Sequence, residues 1–212
     1  MRDMPVFTTE YGVASLVLKE IPYKETAYIL IRDSLEPEKL IEECASFCRA
    51  VGAEHIFATG HETLEKYPLH TSVLEMRSTA WVDAEKLQSL FPVTEQTVGR
   101  WRQIYNERMK TVDNSGTLES RDEKKILESG GAYFVHSCGE LLGIGWLEEE
   151  TLLAVASVRP GAGETVMHSL MSLVEGASVT LEVASTNERA IRLYEKLGFL
   201  KTREISRWYR VR

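Results

Sequence analysis

A glycine-rich stretch in the C-terminal half of the chain has the composition of an anion-binding loop. It reads V-R-P-G-A-G-E-T over Val158–Thr165 and joins an apolar run, Leu152–Val158, to a segment with helical spacing, Glu164–Val174. Backbone N–H groups at the start of a helix bind phosphate when no side chain blocks them. The stretch therefore predicts a phosphate site, although Glu164 brings a negative charge close to it. The alternative is a strand–helix turn without a ligand.

A second stretch, Val179–Phe199, predicts a buried strand followed by a short helix. The start of the helix has two possible caps. Ser185 and Glu188 have the spacing of a capping box, and Asn187 is itself a favoured N-cap residue. The helix is predicted to end at Gly198, which suits the left-handed conformation common after a helix.

Asn187 and Tyr194 are seven positions apart, nearly two helical turns, so they share one helix face. The stretch resembles the last signature motif of the GNAT N-acetyltransferase superfamily, roughly N-x-x-A-x-x-L-Y-x-K-x-G-F. The matching residues are Asn187, Ala190, Leu193, Tyr194, Lys196, Gly198 and Phe199. The loop also resembles the family's V-x-P and spaced glycines, but it is about one residue short and lacks the basic residue in its usual place.

This resemblance implies acetyl transfer from acetyl-CoA, as co-substrate, to a primary amine by direct attack in a ternary complex. It implies that the loop holds the pyrophosphate and that a backbone N–H of the preceding strand polarises the thioester carbonyl. Tyr194 would protonate the leaving thiolate; the alternative is a core aromatic residue. The implied cofactor-binding residues are Ala156, Ser157, Val158, Gly161, Ala162, Gly163, Glu164, Thr165, Asn187 and Ala190.

The general base is harder to assign, because family members often carry a Glu on the strand before the loop and this strand has none. Glu150 directly precedes the strand, and regular alternation would place it on the same face as Leu152 and Ala154. It is the candidate base, although the three adjacent glutamates could equally form a solvated turn. Glu182 and His136 are further options, and ordered water could also remove the proton.

The bulk composition is that of a soluble globular protein, with 43% hydrophobic and 27% charged residues. The net charge of −7 does not favour nucleic-acid binding, and it is compatible with a cationic acceptor, either a small-molecule or a peptide amine. No signal-peptide core or membrane span is apparent, so a cytoplasmic monomer or homodimer is expected. Cys44 and Cys48 lack nearby partners for a metal site, and three cysteines do not indicate a disulfide framework.

The chain is predicted to contain two parts, an α/β half-domain over residues 1–82 and an acetyltransferase domain over residues 83–212. The first part has a strand, helix and strand with much the spacing of the strand, helix and strand around the glycine loop. Ile29 and Ile56 are 27 positions apart, and Leu153 and Leu181 are 28 apart. The first part could therefore be a degenerate, structural GNAT-like half, or an unrelated α/β appendage.

The predicted fold class is α/β (α+β), with a mixed, mostly antiparallel GNAT-like sheet flanked by helices and preceded by the smaller half-domain. The predicted function is a cytoplasmic acetyl-CoA-dependent N-acetyltransferase, which the intact Asn187/Tyr194 helix favours. The alternative is a non-catalytic acyl-CoA-binding, sensing or protein-interaction module with a degenerate GNAT fold. The altered loop and the missing strand glutamate favour that alternative.

Overall fold

The structure, a computed structural model, describes residues 4–79, 88–174, 176 and 178–212, and these form two compact units. The N-terminal unit comprises the described residues of Met1–Val73 together with Glu204–Arg212, and the C-terminal unit those of Leu74–Arg203. The predicted boundary between residues 82 and 83 lies outside the described residues. The assignment of the last nine residues to the N-terminal unit was not predicted.

The N-terminal unit is a sheet with one long helix packed on it. Its elements are β1 (Val6–Thr9), β2 (Gly12–Val17), α1 (Ile21–Lys24), β3 (Thr26–Ser34), α2 (Pro37–Ala50), β4 (His55–Thr59), a 3₁₀ helix (Glu62–Lys66) and the start of β5 (Leu69–Ser78). The end of β11 (Leu200–Arg210) pairs antiparallel with β4. Apolar side chains of α2, among them Leu40 and Cys44, pack on Ala27 and Ile29 of β3.

The C-terminal unit is a larger mixed sheet with helices on both faces. Its further elements are β6 (Ser89–Pro92), α3 (Val98–Met109), a 3₁₀ helix (Ser120–Asp122), α4 (Glu123–Ser129), β7 (Ala132–Ser137), β8 (Glu140–Glu148), β9 (Thr151–Ser157), α5 (Gly163–Met171), β10 (Val179–Ala184) and α6 (Glu188–Lys196). Its strand order is β11-β5-β10-β9-β8-β7-β6. The strands β6 to β9 are antiparallel, and β9 and β10 are parallel. The predicted mixed, mostly antiparallel sheet flanked by helices is thus confirmed.

Helices cover the two faces of the C-terminal sheet with separate apolar cores. On one face, here the α6 face, α5 and α6 pack on residues that include Leu152, Leu181 and Val183. On the other, the α3 face, α3 and α4 pack on residues that include Ile144 and Ala154. Among the described helices, none is both long and apolar enough to span a membrane.

Glycines of β8 allow α5 to lie close to the sheet. A Cβ atom at Gly145 would lie 2.2 Å from Cδ1 of Leu170, and a Cβ at Gly143 would lie 2.7 Å from Cγ2 of Val166. These distances are well inside van der Waals contact, so larger residues would displace the helix. The close packing fixes the first turn of α5 relative to the end of β9.

The two units share a strand–helix–strand arrangement. In the N-terminal unit, α2 connects the parallel strands β3 and β4, and in the C-terminal unit α5 connects β9 and β10. Thr26 pairs with His55 and Thr151 pairs with Thr180, so partners are 29 positions apart in both. The correspondence expected from sequence spacing is present at the level of strand register.

β5 carries part of the C-terminal core, because Leu74 and Met76 pack with the α6-face residues and Met76 is 2% exposed. We expect Met76→Ala to lower the free energy of unfolding by about 2–5 kcal/mol, since the cavity loses both burial and contacts. Urea denaturation measures this effect. Leu200→Ala in β11 is the control; Leu200 is 73% exposed, so its replacement should cost less than about 1 kcal/mol. Equal effects of the two variants would contradict the assignment of β5 to this core.

Candidate functional site

The parallel strands β9 and β10 separate soon after they begin. They pair at Thr151 with Thr180 and at Leu152 with Leu181, and no further pair follows along these described strands. At the same point β9 contains an extra residue relative to β8, since Trp146 pairs with Ala154 but Leu147 pairs with Leu152. The extra residue, Leu153, is a β-bulge, which bends a strand and interrupts its pairing. The result is a gap between β9 and β10, here called the seam.

Backbone donors of β9 face the seam beyond the bulge. Val158, directly after β9, donates its N–H to the carbonyl oxygen of Leu142 in β8 at 2.8 Å. Because bonding direction alternates along an antiparallel strand, Ala156 also bonds to β8. Val155 and Ser157 therefore direct their N–H groups to the other side, toward the seam. Of the three strand residues predicted to contact the cofactor, only Ser157 has a seam-facing N–H; Val155, which was not among them, has one as well.

The glycine loop connects β9 to α5 with open space above its backbone. Gly161 has φ +81°, a left-handed conformation that favours glycine, and nothing lies within 4 Å of a Cβ built on it. Ala162 is the N-cap of α5, and no side chain of the described residues caps this end. The N–H groups of the first turn, from Gly163 to Thr165, have no acceptor within the helix. The predicted loop residues thus lie together at an uncapped helix start.

The sequence suggests an unbalanced negative charge at the loop, but in the structure this charge is paired. The Glu164 carboxylate forms an ion pair with Lys196 of α6, and it lies 4.0 Å from Nε2 of His168. Its negative charge is therefore balanced by the motif lysine. Arg108 at the end of α3 donates from Nη2 to the Val158 carbonyl oxygen at 2.9 Å, and Arg159 lies 3.4 Å from an exposed carboxylate oxygen of Glu140. Arg108 was missed, since no local pattern links α3 to the loop.

Asn187 begins α6 beside the loop that follows α3. Its Oδ1 accepts the backbone N–H of Ala190 at 3.3 Å, so the N-cap is Asn187 and not the Ser185 capping box considered from the sequence. Its Nδ2 still carries two donor hydrogens. The neighbouring Thr186 donates to Oδ2 of Asp113 at 2.6 Å, which ties the post-α3 loop to the start of α6.

Tyr194 lies in the α6-face core with its ring packed near Phe199, 5.8 Å between centroids. The residue is 7% exposed, and burial raises its pKa from 10.0 to about 12, so the phenol is protonated at neutral pH. Among the described residues its hydroxyl has no hydrogen-bond partner. A protonated, unpaired hydroxyl can donate a proton but cannot serve as a base at neutral pH.

Glu150 lies just before β9 and is held by hydrogen bonds. Its Oε2 accepts from the Ser178 hydroxyl at 3.3 Å, and Ser178 accepts from Nη2 of Arg77 at 2.7 Å. This chain of contacts links β5 to the start of the parallel pair and favours a structural role for Glu150. His136 lies on β7, which is separated from β9 by β8, and so does not line the seam. No group of three or more His, Cys, Asp or Glu side chains in the described ranges could hold a metal ion.

The post-α3 loop is tied back to α3, which is itself held on β7. Asn106 donates to the Leu118 carbonyl oxygen at 2.8 Å and accepts the Leu118 N–H at 2.9 Å. Trp101 is fully buried in the α3-face core and donates from Nε1 to the Tyr133 carbonyl oxygen at 3.1 Å. The Asn106 contacts close the loop onto α3, and the Trp101 contact fixes α3 on β7.

No protein-family model matches the chain, and no curated protein matches it. Solved structures do. The chain is similar to a conserved protein of unknown function from Staphylococcus epidermidis ATCC 12228, at 11% identity and a TM-score of 0.57, over 98% of this chain and 93% of that one. It is similar to a GCN5-related N-acetyltransferase from Sphaerobacter thermophilus, at 11% identity and a TM-score of 0.59, over 94% of this chain and 76% of that one.

A third similar structure is a GNAT-family acetyltransferase from Colwellia psychrerythraea, at 12% identity and a TM-score of 0.51, over 98% of this chain and 84% of that one. At sequence identities this low, structural similarity shows only that the fold is shared. The chain has a GNAT-like fold, as the resemblance of Val179–Phe199 to the family motif predicts.

The raised pKa of Tyr194 has a consequence for stability at high pH. A folded-state pKa above the unfolded value stabilises the protein fully below pH 10, and this contribution is lost as the pH rises through about 12. We expect the wild type to lose about 2–3 kcal/mol of unfolding free energy over this range that Tyr194→Phe does not lose. Urea denaturation at several alkaline pH values measures the difference. Tyr23→Phe, at a 47% exposed residue, should behave like the wild type; a parallel decline in all three proteins would contradict the burial of the phenol.

Proposed function

We propose that the protein is an acetyl-CoA-dependent N-acetyltransferase that moves an acetyl group to a primary amine in a ternary complex. One observation carries the proposal: β9 and β10 part after two pairs, so the N–H groups of Val155 and Ser157 face the seam on the strand that leads into the glycine loop. The GNAT-like fold supports the same activity by analogy.

The residues at the loop fit the pyrophosphate of acetyl-CoA. Open space above Gly161 allows a phosphate to approach the backbone, and the uncapped first turn of α5 supplies N–H donors. The pairing of Glu164 with Lys196 removes the repulsion that the sequence alone suggests. Arg108, which donates to the neutral Val158 carbonyl oxygen, adds positive charge at the loop. The two Nδ2 hydrogens of Asn187 would donate to the pantetheine part of acetyl-CoA.

The proposed chemistry uses backbone and phenol groups of this chain. Val155 and Ser157 direct N–H groups into the seam, where they would stabilise the negative charge that develops on the thioester oxygen. The Val158 N–H is already bonded to Leu142, so it does not take this role. Tyr194 would give its proton to the departing sulfur, which its protonated state at neutral pH permits. A thioester bound in this way supplies an activated acetyl group.

Acetyl-CoA affinity tests the loop. Gly161→Asp should weaken binding at least about tenfold, because the carboxylate both fills the open space and repels the pyrophosphate. Asp tolerates a left-handed φ, so the fold should persist. Gly161→Asn, which adds the same bulk without charge, should weaken binding less. Calorimetric titration with acetyl-CoA measures the three affinities.

Gly130→Asp is the matched control, because Gly130 also has a positive φ, +64°, with nothing within 4 Å of a built Cβ. It ends α4, away from the loop, and its affinity should stay within about twofold of the wild type. If both aspartate variants bind as the wild type does, the loop is not the pyrophosphate site. If the wild type does not bind acetyl-CoA at millimolar concentrations, both hypotheses, the acetyltransferase and the acyl-CoA sensor, are excluded.

Thiol release over a panel of amines tests the chemistry. Tyr194→Phe should reduce kcat about 100-fold or more, the usual contribution of a general acid, while acetyl-CoA affinity remains unchanged. The phenyl ring preserves the packing against Phe199, so lost activity reports the hydroxyl. Turnover unaffected by the change would exclude Tyr194 as the acid. Acetyl-CoA binding without turnover of any amine would instead favour the non-catalytic acyl-CoA-binding module.

A further inference from the structure

Strand β1 is an open edge of the sheet in the N-terminal unit. It begins the strand order beside β2, and no described strand pairs with its other side. An edge strand presents unpaired N–H and C=O groups to which another strand can bond. β1 reads V-F-T-T without a charged side chain, and its pairing with β2 contains no bulge. Two usual protective features of an edge, charge and a bulge, are thus absent from β1.

The outward-facing backbone groups of β1 are those of Val6 and Thr8. The Pro5 carbonyl oxygen accepts the N–H of Leu16 in β2 at 3.0 Å. Because bonding direction alternates along an antiparallel strand, Phe7 also bonds to β2, whereas Val6 and Thr8 direct N–H and C=O groups to the open side. Pro5 has no N–H, but it faces β2 and so removes no donor from the edge.

Strand β6, at the other end of the strand order, is protected at the corresponding point. Val93 donates its N–H to the Ala132 carbonyl oxygen at 2.9 Å, so Phe91 also bonds to β7 and Pro92 faces outward. An outward-facing proline cannot donate to an added strand. Of these two edges, only β1 therefore offers a donor at every outward-facing position.

Apolar side chains beside β1 are exposed. The Phe7 ring lies 5.1 Å from the ring of Phe47 on α2, and Phe47 is 38% exposed. Val51, one turn further along α2 on the same helix face, is exposed as well. Val6, on the opposite face of the sheet, is 65% exposed. Single exposed apolar residues are common, but a group of them along an open edge is typical of a contact surface.

We propose that β1 pairs antiparallel with β1 of a second copy of this chain, about a twofold axis through Phe7. In this register Val6 lies opposite Thr8 of the partner subunit, and Thr8 lies opposite Val6 of the partner subunit. Outward-facing groups then meet outward-facing groups, and four backbone hydrogen bonds form. A shift of one residue would place Val6 opposite a residue whose backbone is already bonded to β2. This inference is independent of the proposed function, because no residue of the seam or the glycine loop takes part.

The space between the two copies of α2 fits the exposed aromatic side chains. α2 packs on β2 and β3, whose midpoint lies about 10 Å from the axis at the usual strand spacing. The two helices therefore run antiparallel about 19 Å apart, roughly twice the distance of packed helices. Phe7 and Phe47 of both copies lie in this space. A second copy thus covers Phe47 in addition to the edge, whereas an added strand alone covers only the edge.

The twofold arrangement keeps like charges apart. Glu43 precedes Phe47 by one helical turn, about 6 Å, so antiparallel helices hold the two Glu43 carboxylates about 12 Å or more apart. Repulsion over this distance is largely screened at physiological salt. Four hydrogen bonds and this apolar group correspond to an interface below about 1,200 Å², which is typical of weak complexes. We therefore expect a dimer with a Kd of about 10–500 µM.

Sedimentation equilibrium of the full chain from about 5 to 500 µM measures the association. Thr8→Pro removes the outward N–H and keeps the bonds to β2, so it should weaken the dimer at least about tenfold. Phe47→Asp leaves the edge intact and places two carboxylates near the axis, so it should have a similar effect. Leu35→Asp is the control, because Leu35 is 84% exposed but follows β3, two strands from β1. Circular dichroism and urea denaturation verify that each variant is folded.

A disulfide between copies tests the register. The background is Cys138→Ser, which removes the exposed native cysteine. Phe7→Cys places two thiols across the axis in a non-hydrogen-bonded pair, with Cα atoms about 4.5 Å apart. Thr9→Cys, on the same face of β1, is the control, because its two copies are about 14 Å apart along the strand. Oxidation above the Kd should link Phe7→Cys much faster than Thr9→Cys.

Each outcome either supports or overturns the dimer. A wild type that stays monomeric at about 500 µM overturns it and leaves this edge to a strand of another protein. A dimer unchanged by both Thr8→Pro and Phe47→Asp overturns it, because another surface is then used. Weakening by Leu35→Asp as large as by Phe47→Asp overturns it as well, because the association is then a general effect of exposed apolar residues. Equal disulfide formation at positions 7 and 9 overturns the register.

Discussion

One extra residue in β9 determines how the candidate site is built. A parallel pair that continued in register would bond the N–H groups of Val155 and Ser157 to β10, and no backbone donor would remain for a ligand. With Leu153 inserted opposite Trp146, β9 bends after two pairs and the donors face the seam. Buried unpaired N–H groups are costly, which makes an open seam lined by them a natural place for a ligand with acceptor oxygens.

The two sequence motifs depend on each other through a charge pair. Glu164 in the glycine loop would repel a phosphate, and Lys196 belongs to the Asn187/Tyr194 helix. Their ion pair balances the charge and holds the start of α5 beside α6. The glycines of β8 bring α5 close to the sheet, so the loop, the seam and Tyr194 are positioned by one compact core. The glycine loop departs from the family pattern and the Asn187/Tyr194 helix matches it, and this ion pair allows the two to lie side by side.

The sequence predicts what depends on local pattern. The bounds of α6, its N-cap Asn187 and the left-handed Gly198 follow from residue type alone, and the fold class follows from the order of elements. The sequence does not predict partners that depend on register. No local feature marks Leu153 as a bulge, links Arg108 to Val158, or assigns Met76 to the core beneath α6. Glu150 was chosen by proximity along the chain, but its carboxylate is bonded to Ser178, whereas Glu182 has no such contact.

The N-terminal unit can be compared with the C-terminal one, because it contains the same strand–helix–strand arrangement but no seam. There β3 and β4 pair over five consecutive residues, from Thr26 with His55 to Leu30 with Thr59. An extra residue is present in β3 as well, Arg32, but it comes only after this pairing is complete, so it opens no gap within the pair. The turn before α2 contains Glu36 as N-cap and no glycine pair. The same strand–helix–strand arrangement therefore lacks both an open seam and an anion loop. The two units thus differ in where the inserted residue lies along the first strand, within reach of the parallel pairing in one and beyond it in the other.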